Sequence, residues 1–146
     1  MSDAVGSSEL SHLLDLLYRG VEEYALWQEF LERFNELCES RDASLMMVNP
    51  GLDTVLYILY TDSRPEISSQ YIDGSLRAAA FINEVPCPVP STITELISEE
   101  RYLNSVLYRE YFQPVGVRHM LVQDIRRTGD FVMRLTVKRS DDQPPF

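Results

Sequence analysis

Cys87 has the most distinctive chemical setting in this sequence. It lies in Pro86-Cys87-Pro88-Val89, where a proline on each side holds the sulfur out from the chain. Two roles fit such a thiol: redox chemistry, or no chemistry at all in an inert loop. Cys38 falls on the apolar face of a helical pattern and reads as core. Two cysteines at this spacing make neither a disulfide framework nor a metal site. His12 sits in a leucine-rich helical stretch and His119 in a strand-like one, and neither has a nucleophile or base nearby in sequence. The adjacent carboxylates Glu22-Glu23 and Glu99-Glu100 point different ways on a helix and belong to solvated faces. No phosphate-cradling glycine loop and no His-Glu-x-x-His pattern occurs. The sequence therefore reads as a non-enzyme without a cofactor.

Bulky apolar side chains are the other chemical resource. Fifteen aromatic residues, together with five methionines, either fill an ordinary core or line an adaptable apolar cavity for a small hydrophobic ligand. On the second reading Trp27, Tyr57, Phe81 and Met120 are the expected pocket residues, since they come from a helix, two strands and a loop.

The elements that must position these groups follow from periodicity. Leu10, Leu13, Leu14 and Leu17 form the stripe of an amphipathic helix that opens at Ser8 and stops at Gly20, and a second helix runs over roughly 24–39. The apolar period then changes from 3.6 to 2. Segments 43–49 and 54–61 flank Asn49-Pro50-Gly51 and read as a hairpin, as do 117–126 and 130–138 around Thr128-Gly129. Between them the spacing predicts helices over 66–73, 92–97 and 104–112, with an extended connection where Pro86, Pro88 and Pro90 forbid helix. The fold class is α+β, an antiparallel sheet with N-terminal helices packed on it.

The 146 residues suffice for one domain. Residues 1–139 form it, and 140–146, without periodicity, form a disordered tail. No apolar run approaches the roughly 18 residues a membrane span needs, and the N-terminus lacks a signal peptide, so the chain is expected in the cytoplasm. A formal net charge of −10 argues against DNA binding by this chain alone. The charge is uneven: nine acids face Arg19 and Arg33 before position 41, whereas six basic residues crowd 118–139. Two such faces either solvate separately or meet in a homodimer, which would bury the edge of the first helix around Leu13 and Leu17.

Glu95-Leu96-Ile97, then Tyr108-Arg109-Glu110-Tyr111-Phe112-Gln113-Pro114, then Gly116-Val117-Arg118-His119 resembles the N-terminal regulatory domain of LuxR-type bacterial transcription regulators. Arg139 with Pro145-Phe146 is similar to the step after which that family begins a long linker helix. The resemblance implies a PAS/GAF-like sensory fold that receives a signal or dimerises, and DNA contact only through a C-terminal domain absent from this chain. The chain departs from the family at Ile72-Asp73-Gly74, and with Trp27 as its only tryptophan the resemblance does not imply an acyl-homoserine-lactone ligand. Separately, Pro86-Cys87-Pro88 is similar to the short motif of some haem-responsive proteins. The alternative to sensing is a protein-interaction module with a filled core.

Overall fold

Apolar side chains recurring every three or four residues produce two helices near the N-terminus. In α1 (Ser7–Arg19), Glu9 in the first turn and Arg19 in the last both suit the helix dipole, and α2 (Tyr24–Leu37) follows. The structure is a computed structural model and describes residues 6–20, 23–49, 54–61 and 85–146. The helix expected over 66–73 and Phe81 lie outside the described residues, as does the side chain of Tyr57.

Gly20 ends α1 for a steric reason. A Cβ there would sit 1.8 Å from the Trp27 ring, whose Nε1 donates to the Leu17 carbonyl at 3.0 Å. This close approach joins α1 to α2 and decides which side of α1 turns inward. Leu13 and Leu16 are buried and Leu17 is half-buried, whereas Leu10 and Leu14 stay 51% and 44% exposed. The inward face is thus rotated from the expected stripe, because α1 has more leucines than one face needs and packing made the choice. At the end of α2, the Ser40 N–H bonds the Asn35 carbonyl and the Glu39 N–H that of Glu36, a closing turn that puts Glu39 at φ 51°.

Strands β1 (Asp42–Asn49), β2 (Thr54–Tyr60), β3 (Ser91–Thr92), β4 (Val117–Thr128) and β5 (Phe131–Ser140) form one antiparallel sheet in the order β2-β1-β5-β4-β3. Both expected hairpins are present, and β1 against β5 joins them. Gly129, at φ 59°, begins the two-residue turn between β4 and β5. Between β3 and β4 come α3 (Ile93–Leu96), α4 (Glu99–Leu103), a π-helix (Leu107–Phe112) and a 3-10 turn (Gln113–Val115) that closes at Gly116, φ 77°. The helix expected over 104–112 starts at Leu107, as the π-helix, and α4 is a separate piece before it. Ser98 caps α4 by accepting the Arg101 N–H, and Ser105 takes the Tyr108 N–H, so its side chain competes with the backbone between the pieces.

Both faces of the sheet are covered. One packs Ala43, Leu45 and Val137 against Leu13, Leu16, Phe30 and Leu31 of the N-terminal helices. The other packs Met120 and Val122 against Cys87, Ile93, Tyr102, Leu107, Tyr108 and Phe112. The sheet is the middle of three layers, which explains why Val132, Arg134 and Thr136 on β5 are as buried as a core strand.

The tail expected to be disordered is held instead. Arg139 donates to the carbonyls of Pro144 (3.2 Å) and Pro145 (3.1 Å) and to that of Cys38 at the end of α2, and its guanidinium lies 4.3 Å from the Phe146 ring centroid. Gln143 adds bonds to the Ser140 N–H and the Glu39 carbonyl. These contacts depend on residues a hundred positions apart, so no local periodicity announces them.

Candidate functional site

The face of the sheet turned away from α1 and α2 carries an unusual polar ladder. Strand alternation puts Asp42, Ser44 and Met46 of β1 on that face, and pairing sets them opposite Lys138, Thr136 and Arg134 of β5. The next strand continues each row with Met120, Val122 and Asp124, and Ser91 of β3 extends the row of Val122.

Two ion pairs bracket this ladder. Arg134 Nε meets Asp124 Oδ1 at 2.7 Å with the two side chains only 4% and 9% exposed, and Lys138 Nζ meets Asp42 Oδ1 at 3.2 Å beneath the Phe112 ring. Pairs this dry hold only if the remaining donors and acceptors are matched. The other arm of Arg134 donates to the Val85 carbonyl at 2.7 Å, and the second oxygen of Asp124 accepts the Cys87 N–H at 2.9 Å. Between the pairs stand Ser44 and Thr136, directly opposite each other and 7% and 5% exposed. Away from this face, Arg41 Nη2 and Arg139 Nε are buried side-chain nitrogens without a partner among the described residues.

Cys87 belongs to the edge of this site. Its thiol is buried and donates to the Val85 carbonyl, and burial pushes its pKa up, only partly offset by Arg134. A buried thiol that donates a hydrogen bond suits packing. Burial likewise raises the Cys38 thiol. His119 is pushed below its usual range by burial and by Arg118, and among the described residues no three His, Cys, Asp or Glu side chains group as metal ligands.

Of the expected pocket residues, Trp27 and Met120 can be placed and lie apart, whereas Phe81 and the side chain of Tyr57 lie outside the described residues. Trp27 packs among the N-terminal helices, whereas Met120 lies on the opposite face of the sheet and lines a 260 Å³ cleft with Ile93, Tyr102, His119 and Phe146. A second, more open groove of 870 Å³ runs along α4 and the π-helix, where Arg118 bonds Glu99 at 2.7 Å and lies over the Tyr108 ring. The block Tyr108 to Pro114 is thus mainly structural, since Tyr108 and Phe112 are core. Sequence reading missed Asp124, Arg134, Ser44 and Thr136. Their one signal was the alternation of Val132, Arg134, Thr136 and Lys138, which read as a solvent face.

No family model matches the chain, and no curated protein matches it. Among solved structures it is similar to the LBD domain of VqsR from Pseudomonas aeruginosa, with a TM-score of 0.67 at 15% identity over 92% of this chain and 81% of that one. SdiA from Escherichia coli gives a TM-score of 0.48 at 17% identity, over 92% of this chain and 57% of that one. The helices, the antiparallel sheet and the order in which the chain forms them are those of the VqsR domain: this chain has that fold.

Proposed function

We propose that this chain is the ligand-sensing domain of a LuxR-type transcription regulator, PAS/GAF-like in role, non-catalytic, and dependent on a separate domain for any DNA contact. Its ligand lies on the polar sheet face that also carries Met120, on the other side of the sheet from Trp27. The likeness to a domain named for ligand binding supports this reading, and the hydroxyl pair Ser44–Thr136 carries it. Two hydroxyls facing each other between the ion pairs offer both a donor and an acceptor to a polar atom of a ligand. Both flanking ion pairs are matched internally, which leaves the hydroxyls as the groups that recognise it. A ligand favouring one arrangement of the domain would signal by its differential affinity.

The test begins without ligand. Thr136→Val keeps the shape and removes one hydroxyl, so it should change stability in urea by no more than about 1 kcal/mol. A loss of more than that shows the hydroxyl already bonded and ends the reading. A thermal-shift screen of small polar-headed hydrophobic compounds should then find some that stabilise the wild type and lose their effect on Thr136→Val.

A further inference from the structure

Among the described residues the outer edge of β4 has a strand partner only at Val122 and Leu121, where β3 pairs with it. Past Leu121 lies the 260 Å³ cleft, whose walls come from α3, α4, β4 and the tail. Ile93, Met120 and Phe146 give it an apolar side, and its charged lining is Glu95, Glu99 and Arg118. Glu95 is already engaged, since it accepts the Thr92 hydroxyl at 3.0 Å in the capping box of α3. Burial and Arg118 push the lining residue His119 below its usual range, so at neutral pH it adds no charge. Arg118 and Glu99 line both this cleft and the open 870 Å³ groove, so their 2.7 Å bond is the wall between the two. The partners are unequal. Arg118 is 23% exposed and lies over the Tyr108 ring, 5.6 Å from its centroid, whereas Glu99 is 63% exposed. An ion pair whose acid stands this far in water is weak, and Glu99 can turn away at little cost.

We propose that this cleft is a second small-molecule site, which takes a monocarboxylate with a short aliphatic or aromatic body and binds its carboxylate on Arg118 in place of Glu99. A guanidinium meets both oxygens of a carboxylate through parallel N–H bonds, whereas Glu99 holds it through Nη2. The Tyr108 ring keeps the guanidinium in place while its partner is exchanged. The apolar body then lies along Ile93, Met120 and Phe146, out of water. An amine is the wrong class of ligand. To reach Glu99 it must displace Arg118, the better buried and ring-stacked member of the pair, and Glu95 is held by Thr92. Neither Ser44 nor Thr136 lines the cleft, so the proposal stands apart from the hydroxyl pair on the sheet face.

Isothermal titration calorimetry on the whole chain tests this, with octanoate and phenylacetate as probes, each beside its neutral amide, and octylamine as the matched cation. At least one of the two acids should bind with a stoichiometry of one, and its amide and octylamine should bind about tenfold more weakly or not at all. Arg118→Gln should weaken that acid by about tenfold or more. Glu99→Gln removes the competitor and should tighten it by about two- to fivefold, the strength of an exposed ion pair. A purely structural ion pair predicts unchanged or weaker binding in Glu99→Gln, so this exposed substitution decides the matter even if Arg118→Gln does not fold. Binding of neither acid to the wild type or to Glu99→Gln, equal binding of acid and amide, or weaker binding in Glu99→Gln would each overturn the proposal. Thr136→Val should leave the acid's affinity within about twofold, because sites without shared partners act independently. A loss there would put the acid on the polar sheet face and end the proposal, whereas acid binding that persists while the screen on Thr136→Val fails ends only the earlier reading.

Discussion

Gly20 and Glu39 show how single residues carry backbone constraints at the two helix ends. At Gly20 the helical φ would suit any residue, and only the Trp27 ring forbids a side chain. Gly20→Ala should therefore destabilise the domain by about 3 kcal/mol, as overpacking does, because the indole must leave its place and its bond to Leu17. Urea denaturation followed by Trp27 fluorescence reads both effects. Glu39 presents the opposite case: a residue with a Cβ occupies a left-handed position that glycine fills without strain. Glu39→Gly should raise stability by about 0.5–1 kcal/mol, the relief of strain less glycine's added chain entropy. A decrease would mean that the Glu39 side chain does more than tolerate the turn.

Arg139 acts between elements. One guanidinium joins the last strand to the C-terminal end of α2, whose carbonyls carry partial negative charge, and to the tail through two carbonyls and the Phe146 ring. Arg139→Ala should cost about 3 kcal/mol for lost charged hydrogen bonds, and should make the bonds around Pro144 and Phe146 cleavable by added protease before the sheet unfolds. Cleavage no faster than in the wild type would show that Gln143 alone secures the tail. The same logic explains the second sheet face, where β5 alternates polar residues against a covering layer: buried polar strand positions stay only because Asp124, Asp42 and the Val85 carbonyl answer them.

Among the described residues the largest apolar exposure on one element is the α1 stripe of Leu10, Leu14 and Tyr18, not the edge around Leu13 and Leu17 expected to pair. A homodimer, if this surface forms it, uses residues four apart on one helix, a ridge that favours helices crossing at about −50°. Leu14→Glu should shift a concentration-dependent sedimentation profile to monomer without lowering the melting temperature, because Leu14 takes no part in the core. An unchanged profile would assign any self-association to another surface. Among the described residues no helix is long and apolar enough to cross a membrane.

Local chemistry determined the two hairpins, the α+β class and the N-terminal helices, because alternation, turn residues and helical periodicity act over a few neighbouring positions. The same signals marked Pro114 and Gly116 as the stop before β4. Only tertiary structure decided which leucines of α1 face inward, since five leucines on one helix satisfy more than one rotation until Trp27 meets Gly20. It also decided that β5 is covered on both faces, and this moved the site. Alternating Arg134 and Thr136 with apolar residues is what a solvated strand looks like. The partners that make the pattern a buried one, Asp124, Ser44 and the carbonyl of Val85, come from three other segments of the chain, brought into place by strand order and by a loop that no local rule positions.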